Sequence, residues 1–376
     1  EAGARKAVNY LAYITGGTYP LLYFCEFAVA LVICWGVIAN PSRFIVDRGY
    51  TSDLAARQSS HTLPTPRAGV LACLGVQLAF IPIASITDLD ITQNISFSVT
   101  TVCLFLAAQM PLALVGALED FGIHQRPRNR LAGIALSTAL VIAMFGVMID
   151  RSGIGFIDAL LSVKIVAFLF TLFAVTGVVN AFNLIDGLNG LLGLTALTTS
   201  VALGASAHAL GAPNLSIILA MFAASIGAFL VLNYPFGKIF MGDGGAYVIG
   251  FILAWMAIAL LHETTVSPFA LLLIFYWPIF DTLLAIWRRA YRHSGSMRPD
   301  RMHCHQVMMR VLMIRAGLRK RAANPIATAC LLPAIIAPQI VGVVFLENTQ
   351  MDGASLLGLA VLYYVIYTWA VRNHGR

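Results

Sequence analysis

The chain has 376 residues, 24 of them Lys or Arg and 17 Asp or Glu, for a net charge of +7 and a charged fraction of only 11%. Soluble domains carry about 25% charged residues. With 59% hydrophobic residues and a mean hydropathy of +0.83, the composition argues against a soluble enzyme, a disordered chain and a disulfide scaffold, and for an integral membrane protein. The basic excess needs no nucleic acid, because loops facing an anionic leaflet are basic for a simpler reason. Six cysteines without a CxxC pair indicate neither a zinc site nor a disulfide framework. No stretch reads as a cleavable signal peptide.

A spanning helix needs about 20 mostly apolar residues. In chain order the sequence predicts such helices at 20–40, 68–84, 96–118, 131–149, 162–182, 188–209, 215–233, 245–261, 266–288, 326–346 and 354–372. The first eighteen residues read as an interfacial helix or part of another span. The expected fold is therefore all-α: one polytopic membrane domain over 1–376 with about 11 transmembrane helices. Its cytoplasmic loops would be 41–67, 119–130, 183–187, 234–244 and 289–325. Arg5, Lys6, Arg151 and Lys164 fall on one side of this layout, and the other 20 basic residues fall on the opposite side. The positive-inside rule then puts the N-terminus outside and the C-terminus in the cytoplasm. No inverted repeat of the kind found in transporters is visible.

The costly polar residues gather on the basic side: SSHTLPTPRAG (59–69), LEDFGIHQRPRNR (118–130), NAFNLIDGLNGL (180–191), NYPFGKIFMGDGGA (233–246), PIFDT (278–282) and RPDRMHCHQ (298–306). Glu119, Asp120, Asp186, Asp243 and Asp281 offer hard oxygen ligands, as Mg²⁺ bound to substrate phosphates requires. Lys238, Arg298 and Arg301 can neutralise phosphate oxygens. His303 and His305 suit a loop, and Phe240 can stack on a base. Each residue alone also has a plainer reading. Asp186-Gly-Leu-Asn-Gly can be a turn, Glu119-Asp120 solvated loop acids, Asp281 a helix-end partner of Arg288 and Arg289, and Phe240 an interfacial anchor. Glu26, inside the first span, reads as an interhelical hydrogen-bond partner. It is the gathering of six such clusters on one face that favours phosphate chemistry at the interface over a transporter, whose polar site would lie near mid-depth.

In these residues the chain resembles the polyprenyl-phosphate N-acetylhexosamine-1-phosphate transferase family (glycosyltransferase family 4), over roughly 40–310. The segments that carry the resemblance are Asn180-Ala-Phe-Asn183-Leu-Ile-Asp186-Gly-Leu-Asn-Gly, Lys238-Ile-Phe240-Met-Gly-Asp243, Pro278-Ile-Phe-Asp281-Thr and Arg298-Pro-Asp-Arg301-Met-His303-Cys-His305. His61 and Pro64-Thr-Pro-Arg67 look most like the O-antigen-initiating branch. Three positions depart from the family pattern: Glu119 stands for the first Asp of a pair, Asn189 for an Asp thought to contact uracil, and Gln306 for a His.

The resemblance implies transfer of a sugar 1-phosphate from a UDP-N-acetyl sugar to undecaprenyl phosphate, with release of UMP, at the cytoplasmic face of the bacterial inner membrane. It implies catalytic roles for Glu119, Asp120, Asp186, His303 and His305, with Asp120 activating the lipid phosphate or guarding its charge. It implies substrate contacts for His61, Arg67, Asn180, Asn183, Asn189, Asn233, Lys238, Phe240, Asp281, Arg298 and Arg301. Asp243 and Glu119 would hold Mg²⁺, with Mn²⁺ as the alternative ion. A homodimer is compatible with the family and has no sequence signature. The alternatives are a transporter or flippase for an anionic or lipid-linked substrate, and an inactive family member acting as a binding partner.

Overall fold

The computed structural model describes residues 19–39, 69, 73–78, 80, 89–92, 95–291 and 302–374. Its helices are α1 (Tyr19–Ala39), α2 (Val99–Asp120), α3 (Pro127–Phe145), α4 (Gly155–Leu161), α5 (Lys164–Ile185), α6 (Leu191–Ala209), α7 (Pro213–Asn233), α8 (Gly242–Glu263), α9 (Pro268–Ile274), α10 (Tyr276–Tyr291), α11 (Cys304–Arg315), α12 (Lys320–Val344) and α13 (Thr349–His374). Residues 73–78 are also helical. One antiparallel hairpin precedes α2, β1 (Leu89–Thr92) with β2 (Ile95–Phe97). It is the only departure from an all-helical fold among the described residues, and it lies where a plain loop was expected.

Among the described residues, eight helices are long and apolar enough to cross a membrane: α2, α3, α5, α6, α7, α8, α12 and α13. Their ends follow local chemistry. Ser98 caps α2 by accepting the Thr101 N–H at 3.2 Å. Pro127 and Pro213 open α3 and α7 at positions where a missing N–H is harmless. The eight helices coincide with predicted spans to within a few residues.

The run 266–288 differs. It is two helices, α9 and α10, that together pass as one apolar span but bend by 83°. Pro278 supplies the reason. In a continuous helix its ring would collide with the carbonyl of Ile274, which is the last residue of α9. That carbonyl instead accepts the Gln339 side-chain N–H from α12 at 3.2 Å.

The core is centred on α8, nearly all of whose side chains are buried. Helices α2, α5 and α6 pack around it. Asp120 and Ile185, at the ends of α2 and α5, and Gly242, at the start of α8, meet at one end of this core.

Candidate active site

The Gly-Asp-Gly-Gly segment begins α8, and small residues let it sit against α2. A Cβ on Gly242, whose φ is +70°, would collide with the Asp120 carboxylate, and one on Gly116 would collide with the Gly244 backbone. Asp120, almost fully buried, uses the space so created. Its Oδ1 accepts the Asp243 N–H at 2.9 Å, and its Oδ2 accepts the Gly244 N–H at 3.0 Å. An acid at a helix N-terminus meets otherwise unpaired donors and the positive end of the helix dipole.

This capping holds Asp243 at the mouth of the cluster. Asn183, at the end of α5, donates its side-chain N–H to Asp243 Oδ1 at 2.8 Å. Glu119 lies beside it, paired with Arg130 at 3.4 Å. Arg130 also interacts electrostatically with Asp243 and Tyr247. Neither Arg130 nor Tyr247 is among the site residues expected from the sequence. The signal was there in the spacing, since Arg130 sits one turn into α3, 11 residues after Glu119.

A second cluster forms around Asp281 on α10. His303 Nδ1 lies 2.7 Å from Asp281 Oδ2. The Cys304 N–H and the Tyr363 hydroxyl both donate to Oδ1, each at 3.0 Å. Asp281 and His303 are both buried. Asp281, expected as a helix-end partner of Arg288 and Arg289, is engaged by His303, Cys304 and Tyr363. Arg288 instead donates to the Tyr367 hydroxyl at 2.6 Å.

The His305 ring stacks beside His303 at 5.6 Å between centroids. Burial drives its pKa down to about 4, with His303 adding to the shift and Asp281 opposing it, so the ring is neutral at pH 7. Its Nε2 edge lies so close to Gly187 that a Cβ there would collide with it. The two clusters are thus joined by the end of α5: Asn183 touches Asp243, and four residues later Gly187 meets His305. Asp186, half-buried, lies between them as the residue closing α5.

Other expected residues fall around this centre in different states. Asn233 spends its side chain on the loops, accepting the Gly190 N–H at 2.6 Å and donating to Ile239 at 2.7 Å. Asn189, 9% exposed, donates from Nδ2 to the Pro235 carbonyl at 2.9 Å. Its own N–H goes to Asn324, and its carbonyl accepts from Thr328, both at 2.8 Å. Asn180 bonds back to the Thr176 carbonyl in its own helix. Lys238 is exposed, its ammonium 5.8 Å from the Phe236 ring centre. Phe240 is half-buried. His61, Arg67, Arg298 and Arg301 lie outside the described residues. Gly69, at the end of the segment containing His61 and Arg67, leaves no room for a Cβ against the Met241 backbone.

No group of three or more His, Cys, Asp or Glu among the described residues forms a ready-made metal cage. The donors do suit Mg²⁺, which commonly takes one or two carboxylates and completes its shell with water and substrate phosphates. Asp243 and Glu119 offer carboxylate oxygens of this kind, and Asp120 is occupied with main-chain N–H groups.

Residues 101–261 match the family model of glycosyl transferase family 4. The undecaprenyl-phosphate α-N-acetylglucosaminyl 1-phosphate transferase of Haemophilus influenzae is 34% identical over 163 residues, 40% of this chain and 42% of that protein. Its namesake in Yersinia pestis is 29% identical over 73% of this chain and 74% of its own length. The one in Escherichia coli K12 is 29% identical over 74% of this chain and 75% of its own length. The Haemophilus match therefore spans about two fifths of that relative, and the other two about three quarters of theirs. By these matches the chain is similar to glycosyl transferase family 4 over its central part, residues 101–261.

Proposed function

We propose that the protein transfers N-acetylglucosamine 1-phosphate, or the 1-phosphate of a closely related N-acetyl sugar, from a UDP-sugar to undecaprenyl phosphate. The observation that carries this reading is the contact of Asn183 with Asp243 beside Glu119, at the same helix ends where Gly187 meets His305. Acidic oxygens for a metal–diphosphate and histidines for the sugar-phosphate end then share one mouth. The names of the relatives point to the same lipid and the same sugar phosphate. Glu119, Asp120, Asp186 and Asp243 lie at helix ends, which favours an interfacial enzyme over a transporter.

In this reading an oxygen of the lipid phosphate attacks the phosphorus that carries the sugar. The bond from that phosphorus to the bridging oxygen breaks, and UMP leaves with the electron pair. Such transfers depend mostly on positioning and charge stabilisation. Bound Mg²⁺ would neutralise the diphosphate oxygens, held by Asp243 and Glu119. Asn183 aims Asp243, and Arg130 balances the acids. Asp120 fixes the start of α8, so we assign it a positioning role in place of the expected activation of lipid phosphate. Asp186, His303 and His305 face the sugar-phosphate end. Lys238 and Phe240 serve the nucleotide, with Asn180, Asn189 and Asn233 shaping its loops and His61, Arg67, Arg298 and Arg301 completing the site. We further propose eleven spans with the N-terminus outside, which puts the site on the cytoplasmic face of the inner membrane.

The test is release of UMP by the purified full chain, given undecaprenyl phosphate and a panel of UDP-N-acetyl sugars. Turnover should stop with a chelator and return with Mg²⁺. No turnover with any sugar of the panel defeats the proposal.

A further inference from the structure

The last span, α13, is the least buried of the apolar helices, yet one of its faces is tied to α10 at three levels. The Tyr276 hydroxyl donates to the Leu359 carbonyl at 2.7 Å. One turn on, the Tyr363 hydroxyl donates to Asp281 at 3.0 Å. One turn further, Arg288 donates to the Tyr367 hydroxyl at 2.6 Å and stacks its guanidinium 5.3 Å from that ring. Positions 359, 363 and 367 are four apart, so they share one helix face.

Both phenols act on the segment that enters α11. The Tyr367 hydroxyl donates to the Met302 carbonyl at 2.7 Å. Tyr363 holds Asp281, which in turn accepts the Cys304 N–H and contacts His303 Nδ1. The residues on either side of His303 are thereby fixed through α13. An ionised carboxylate can only accept, so the proton of a neutral His303 sits on Nδ1 and Nε2 keeps the lone pair. Packing alone does not require the hydroxyls. The edge-on contacts of Tyr363 with Tyr276 and Trp277, at 6.2 and 5.8 Å, would survive in a phenylalanine.

We infer that Tyr363 and Tyr367 are positioning residues, through which the final span sets the orientation and tautomer of His303 for the transfer reaction. This rests on the proposed reading of the site. It follows the general pattern in which a reacting imidazole is held by a carboxylate that is itself held.

The test uses the full-length protein in lipid nanodiscs with Tyr363→Phe and Tyr367→Phe. Each should lower kcat about tenfold while KM for the UDP-sugar stays within about twofold, the signature of lost transition-state alignment. Histidine ¹⁵N spectra, with the His303 signal assigned by its loss in His303→Gln, should show the Nδ1–H form in the parent and a mixture in Tyr363→Phe. The inference is overturned if both variants keep kcat within twofold. It is equally overturned if kcat falls while the His303 signal stays unchanged, because the loss then has another cause. If Tyr363→Phe does not fold, Tyr367→Phe is read by both measurements in the same way. Absence of UMP release by the parent protein defeats the proposed function instead, and the ¹⁵N spectra then decide the positioning role alone.

Discussion

Asp120 holds Asp243 by its main chain: the carboxylate of one accepts the N–H of the other at 2.9 Å. Two acids adjacent in the site therefore do different work, and substitution should separate them. Asp120→Ala leaves two main-chain donors without their acceptor, at about 1–3 kcal/mol for each group left buried and unsatisfied. It should lower the melting temperature by several degrees and turnover at least tenfold. Asp243→Ala removes the oxygen proposed to face the metal and no capping bond. It should cut turnover a hundredfold or more with little change in melting temperature. Thermal melts beside UMP release check both.

Gly187→Ala tests the junction of the two clusters. A methyl group there meets His305 Nε2, and that ring is buried and cannot swing aside cheaply. We expect turnover to fall at least tenfold with the fold intact. Gly187→Ala with parental kcat would separate His305 from the reaction.

Asn189→Asp restores the residue type that the family pattern carries at this position, and it should do harm here. Asn189 Nδ2 is a donor to the Pro235 carbonyl, and a carboxylate has no proton to give. Two acceptors would then face each other at a buried position, at a cost of about 1–3 kcal/mol. The expected result is a lower melting temperature with no gain in affinity for the UDP-sugar, read from thermal melts and KM.

Stability should weaken in mild acid through His305. Its pKa is about 4 in the folded protein against the ordinary imidazole value of 6.5, so between these values the unfolded chain binds the proton and the folded one does not. The contribution is whole above pH 6.5, falls as pH drops toward 4, and is level below that. The total is on the order of 3 kcal/mol. Melts at pH 7.5, 6 and 5 should show the decline, and His305→Gln should flatten it.

Much of this was legible in the sequence because long apolar runs obey one simple rule. The helices α2, α5, α7 and α8 lie where hydropathy put them. The bend between α9 and α10 did not show in hydropathy, because apolar residues continue across it; only the place of Pro278 signals it. The candidate site residues were readable as types. Their partners were not, since 22 residues separate Asp281 from His303 and 123 separate Asp120 from Asp243. Tyr363 and Tyr367 carry a signal of their own in the sequence, since two phenols four apart in an apolar span must find partners. Asn189 was read as a lost charge, whereas its amide proton is what the fold uses.

The far end of α8 mirrors its start. Arg151 donates to the carbonyls of Leu261 and Thr264 at 2.9 and 2.7 Å, a cation on the negative pole of the same helix that carries an anion on its positive pole. A rod gripped at both tips by charges of the correct sign cannot slide along its own axis without breaking one grip. The helix that carries Asp243 is thus a fixed axle. Any rearrangement that accompanies the proposed transfer then falls to the elements around it.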